Sequence, residues 1–110
     1  MSGPERAPAA APPAAVTVPV TGELDHESCD DLLRAVAELL AARPDAEAVR
    51  LDCHGMSLCD SMGLSVLLQL RRDVDAAGRR LLLDRRPAHL ERLLHLTGTA
   101  DYLLADHRPH

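Results

Sequence analysis

A short apolar run, Ala48-Val49-Arg50-Leu51-Asp52, passes through one loop into a longer run in which Leu64, Leu67, Leu68 and Val74 recur at helical spacing, with Val66 and Leu70 on other faces. The first reads as a strand ending on a polar residue, the second as a helix apolar over most of its surface. An α/β domain sets such a helix against its sheet, which brings the first turn of the helix to an end of the sheet. The joining stretch, Leu58-Cys59-Asp60-Ser61-Met62-Gly63-Leu64, is therefore the candidate site. Asp60 and Ser61 are both good helix-capping residues, so one caps and the other is left to present its oxygen outward. A hydroxyl there lies among unpaired N–H groups, where an added phosphate would find donors and a favourable dipole. A plain cap explains the same two residues, and local chemistry leaves both readings open.

The remaining chain supplies elements to surround this junction. A length of 110 residues suffices for one core. With one Tyr and no Phe or Trp, that core is built from Leu, Val and Ala. Residues 1–15 are rich in Ala and Pro and are expected to be disordered, leaving a folded domain at 16–106 and a tail at 107–110. Prolines interrupt any apolar stretch near the start, so it does not read as a signal peptide. Val16, Val18 and Val20 alternate with Thr17, Pro19 and Thr21 as in a half-buried strand, and Pro19 favours an edge or a bulge. Asp25 is placed to cap a helix carrying Cys29, Leu32, Leu33, Val36, Leu39 and Leu40, which Arg43-Pro44-Asp45 ends. His54-Gly55-Met56-Ser57 reads as a loop. Gly78 supplies the stop of the central helix, and Arg80-Leu81-Leu82-Leu83 reads as a strand. Pro87 suits the first turn of a last helix with Leu90, Leu93, Leu94 and Leu96, closed by Gly98, and Tyr102-Leu103-Leu104 is expected to form a short final strand. Alternating strands and helices predict an α/β fold with at least part of the sheet parallel.

Several function classes fall away. A net charge of −5 and the dearth of aromatics argue against a direct nucleic-acid binder. All twelve basic residues are Arg, and Arg71, Arg72, Arg79, Arg80, Arg85 and Arg86 are expected to be solvated rims. Cys29, Cys53 and Cys59 are odd in number and form no Cys-x-x-Cys pair, which suits a reducing, cytoplasmic setting. Cys53-His54 lacks the spacing of a four-ligand metal site, so neither a metal nor another cofactor is expected. No apolar run has the length of a membrane span. There is no Gly-x-Ser-x-Gly elbow and no phosphate loop, and His89 and His95 read as solvent-facing. An enzyme is not expected.

Asp60-Ser61-Met62-Gly63-Leu64 resembles the D-S-x-G-L signature of STAS domains, the family of the bacterial anti-sigma factor antagonists. Upstream, Gly22-Glu23-Leu24-Asp25-His26 is similar to the G-E-L-D-H segment that enters the first helix of those proteins. The similarity runs from about Val16 to about Leu104. It implies a STAS-like mixed sheet of about four strands flanked by about three helices. It also implies a regulator that binds an anti-sigma factor with serine kinase activity, frees a sigma factor, and is switched off when that kinase uses ATP to phosphorylate Ser61. The resemblance leaves open whether a phosphatase resets the switch. On this resemblance the partner-binding residues are Asp25, His26, Ser57, Asp60, Ser61, Met62, Gly63 and Leu64. The alternative it leaves is a STAS module that works without phosphorylation, as a stressosome-like scaffold or in a transport system.

Overall fold

The computed structural model describes residues 15–104, so the expectations for the chain before Ala15 and after Leu104 lie outside the described residues. Alternation produces the first strand, β1 (Ala15–Pro19), in which Val16 and Val18 are half-buried while Thr17 and Pro19 face solvent. Its only paired neighbour among the described residues is β3 (Ala48–Asp52), so Pro19, which cannot donate to a ladder, stands at an edge as expected. On its other side β3 pairs with β5 (Arg80–Asp84) in register Val49 to Leu81 and Leu51 to Leu83. The face holding Val49, Leu51, Leu81 and Leu83 is fully buried, whereas Thr17, Arg50, Asp52, Leu82 and Asp84 on the opposite face are not.

All described strand pairs are parallel, because a crossover helix lies between the two strands of every pair: α1 (His26–Ala42) within β1–β3 and within the pair of β2 (Gly22–Glu23) and β4 (Met56–Leu58), and α2 (Ser61–Ala76) within β3–β5. The antiparallel component expected of a mixed sheet is not found among the described residues. α1 and α2 contribute Cys29, Leu32, Val36, Leu64, Leu67, Leu70 and Val74 to the same core as the buried sheet face. α3 (Ala88–Thr97) adds Leu90 and Leu94, and Gly98 ends it in the left-handed region at φ 73°. Pro87 lies one residue earlier than expected, at the N-cap. Gly78 takes φ 75° after α2.

Several expectations need correction. Tyr102-Leu103-Leu104 is not a strand but part of α4 (Ala100–Leu104), where Ala100 and Leu103, one helical turn apart, are buried. A run of three apolar residues is too short to separate a period of 2 from one of 3.6. The loop expected at 54–57 contains the start of β4 (Met56–Leu58), which pairs with β2 (Gly22–Glu23). Arg71 is not on a rim: it is 1% exposed, and its guanidinium donates to Asp75 Oδ2 at 2.9 Å and to Tyr102 O at 2.9 Å while lying over the Tyr102 ring. It thus donates to carbonyls that the end of α4 leaves unpaired. Arg79 does the same for α1, donating to Leu40 O and Arg43 O. His89, expected in solvent, is half-buried with Nε2 3.1 Å from Met56 O. No described helix is long and apolar enough to cross a membrane.

Candidate functional site

Beyond the three-stranded sheet, the chains leaving β1 and β3 stay side by side. Val20 N donates to Asp52 O, Gly22 N to Gly55 O and Leu24 N to Leu58 O, and between them lies the β2–β4 ladder with a shift of register after Gly22. This small ladder leads one strand into α1 and the other into α2. The two sequence motifs, separated by more than thirty positions in the chain, therefore meet at adjacent helix starts.

Each start is fastened by an aspartate. Asp25 Oδ1 accepts from Ser28 N at 3.0 Å, and Ser28 Oγ accepts from Asp25 N at 2.9 Å, a reciprocal capping box. The hydrogen bonds from the Ser28 backbone and hydroxyl hold the Asp25 carboxyl below its ordinary range. Asp60 Oδ1 accepts from Met62 N at 3.0 Å and Gly63 N at 3.2 Å. Asp60 is thus the cap of α2, and Ser61, its first helical residue, is exposed. A phosphate on Ser61 would find fewer free donors than the sequence suggests, because Asp60 Oδ1 already accepts from Met62 N and Gly63 N, and Leu64 N donates to Asp60 O. It would stand beside a carboxylate.

The other expected partner-binding residues divide into two groups. His26, Ser57 and Met62 are exposed, with Met62 at 38%. Gly63 and Leu64 are buried and shape the site from below. A Cβ on Gly63 would lie 2.9 Å from Cys59 Sγ and 3.0 Å from Leu24 Cβ, so the absence of a side chain is what lets α2 close on the segment entering α1. Leu58, inside the stretch read as the site but not among the expected partner-binding residues, is 49% exposed in β4, and with Met62 it adds exposed apolar surface to this stretch. Its signal was a leucine in a polar-flanked stretch, which reads as core until the register shift in the ladder is known.

The chemistry available is that of a surface. Burial, ahead of neighbouring charges, pushes the Cys53 and Cys59 thiols up to about 11, so both are protonated at neutral pH and poor nucleophiles. Cys29 is raised by burial and then by the carboxylates of Asp25 and Asp60, a sign that the two caps converge over it. Histidine side chains bond to Met56 O and approach Glu91, and among the described residues none pairs with Ser61. Among the described residues no three His, Cys, Asp or Glu side chains gather as metal ligands would.

The fold has relatives of known structure. Anti-sigma factor antagonist SpoIIAA in its unphosphorylated form superposes with a TM-score of 0.64 at 20% identity, over 83% of this chain and 78% of that one. The phosphorylated form of SpoIIAA, described as a Bacillus cell fate determinant, gives 0.63 at 18% identity, over 83% and 81%. Nothing among the curated proteins matches the chain. The family described as "Mlab, STAS domain" matches residues 8–105, nearly the whole sequence, and with the α/β architecture and the paired helix starts it establishes that this chain belongs to the STAS domain family.

Proposed function

We propose that this protein is an anti-sigma factor antagonist, a non-enzymatic cytoplasmic regulator of transcription whose binding to an anti-sigma factor kinase is controlled by phosphorylation of Ser61. The observation that carries the reading is the exposed Ser61 at the first position of α2, next to the capping Asp60 in a stretch that also exposes Leu58 and Met62. In the unmodified state the surface offers a partner the exposed Leu58 and Met62 together with the Ser61 hydroxyl. The kinase, holding ATP, supplies the phosphoryl group, and a phosphatase removes it. Phosphorylation adds about 1.5 to 2 negative charges at neutral pH. With the Met62 and Gly63 N–H groups already held by Asp60, that charge stands beside a carboxylate and repels or desolvates at the interface, where such a group costs several kcal/mol. The fold survives because Ser61 packs against nothing in the core; the complex does not.

Partner capture from a native lysate, followed by incubation with ATP, tests this. The expected result is a co-purifying kinase that phosphorylates Ser61 and neither Ser57 nor Ser65. Ser61→Ala should bind and resist modification, and Ser61→Asp should fold normally but bind more weakly. Equal affinity of the wild type, Ser61→Asp and the phosphoprotein would overturn the switch and leave a phosphorylation-independent STAS scaffold or transport-associated module.

A further inference from the structure

β5 forms an edge of the three-stranded sheet, and among the described residues no strand pairs with its outer side. Arg80 N donates to Glu47 O and Asp84 O accepts from Cys53 N, so the backbone groups of alternate residues 80, 82 and 84 turn toward β3. Those of Leu81 and Leu83 therefore turn outward. Alongside them runs a groove of about 220 Å³ lined by Leu81, Leu82, Leu83, Arg86, Leu103 and Leu104 among others. Native edges are commonly guarded by proline, a bulge or an inward charge. The opposite edge has such a guard in Pro19 of β1, whereas β5 has no proline and keeps unbroken register with β3. The outer groups are touched by Arg86, which donates to Leu83 O, and that carbonyl keeps a second lone pair.

The sequence of this edge, Arg80-Leu81-Leu82-Leu83-Asp84, is self-complementary when reversed: the cation meets the anion at both ends, and leucine meets leucine at the centre. We propose that β5 is a homodimerisation edge, on which a second copy of this chain adds antiparallel, centred on Leu82, to join the two three-stranded sheets into one. Leu81 and Leu83 exchange backbone hydrogen bonds with the partner's Leu83 and Leu81. Leu82, half-buried in one chain, stands opposite the partner's Leu82 as a close, non-hydrogen-bonded pair. Asp84, whose Oδ2 lies 3.1 Å from Arg50 Nε, then sits between Arg50 of its own chain and the partner's Arg80. A guanidinium with five donors can take that carboxylate in addition to any other partner. A foreign strand would need an anion and a cation at matching positions, and a second copy carries both by necessity, as a two-fold interface requires.

Sedimentation velocity on the full chain tests the dimer. The mass is expected to rise with concentration from 11.9 kDa toward twice that value. Leu82→Arg sets like charges on the two-fold axis and should hold the mass at one chain, with an unchanged circular dichroism spectrum. Arg80→Asp and Asp84→Arg should each be monomeric alone, and their equimolar mixture should regain the dimer, since each mutant edge then meets its complement. A folding defect cannot produce that rescue. A wild type that stays at one chain mass at every concentration would overturn the proposal. A dimer that survives Leu82→Arg, or variants that do not rescue each other, would overturn it equally.

Discussion

At Gly63, the absence of one carbon decides whether two motifs can touch. Glycine inside a helix costs about 0.5–1 kcal/mol relative to alanine, so propensity alone favours Gly63→Ala. Against it stands a Cβ placed 2.9 Å from Cys59 Sγ and 3.0 Å from Leu24 Cβ, the latter on a side chain anchored at its own backbone. Overpacking of this kind costs about 1–3 kcal/mol, so the steric penalty should exceed the gain in helix propensity. Gly63→Ala is therefore expected to be less stable in urea denaturation, by roughly 1–2 kcal/mol net. An equal or higher midpoint would show that Leu24 can withdraw. The neighbouring pair divides its duties at the same scale: the Asp60 carboxylate takes the cap donors, which leaves the Ser61 hydroxyl in solvent.

Between elements, arginines tie down helix ends around the apolar core. Arg71 links α2 to the carbonyl end of α4, and Asp75, its ion-pair partner, keeps 36% of its side chain in solvent. Removing Arg71 leaves that carboxylate hydrated, but strands the α4 carbonyls and removes a bond to a charged donor, each worth about 1.5–3 kcal/mol. Arg71→Leu is expected to lower stability by about 2–3 kcal/mol and to speed amide exchange in α4 before the rest of the domain. Unaltered exchange in α4 would mean that Ala100 and Leu103 hold the helix without it. The pairs at the ends of β3 and β5 act in the same way: Arg85, at φ 52°, grips both oxygens of Asp52, whose Oδ1 also accepts from His54 N.

Taken over the whole molecule, these pairs contribute to the pH dependence of the fold on the acid side. Hydrogen bonds from Ser28, Arg43 and Arg86 lower Asp25, Asp45 and Glu91 respectively, and the Arg85 side chain, followed by the His54 backbone, lowers Asp52 to about 2. A carboxyl whose folded pKa lies below its unfolded one stabilises the fold above the unfolded value. That contribution is lost as pH falls through the folded value. The melting temperature is therefore expected to be flat near neutrality and to drop between about pH 5 and pH 2. Asp52→Asn should shallow the lowest part of that fall. A fall of identical shape in the variant would place the acid sensitivity elsewhere.

Strands, helices and their caps were legible in the chain because they depend on near neighbours. Alternating valines, leucines at helical spacing, Asp25 and Asp60 at helix starts and Gly78 and Gly98 at helix ends all express backbone and side-chain chemistry within a few residues. The α/β class follows from their order. What the tertiary structure decided concerns residues brought together from afar. The β2–β4 ladder joins segments more than thirty residues apart, each too short to show a period of its own. Tyr102-Leu103-Leu104 became helix because Ala100 lies one turn back from Leu103 and Arg71 donates to its final carbonyls. Whether an arginine is solvated or buried, and whether Leu58 is core or surface, depends on what lies opposite it in space. A sequence records which groups need partners, and only the fold determines where those partners are.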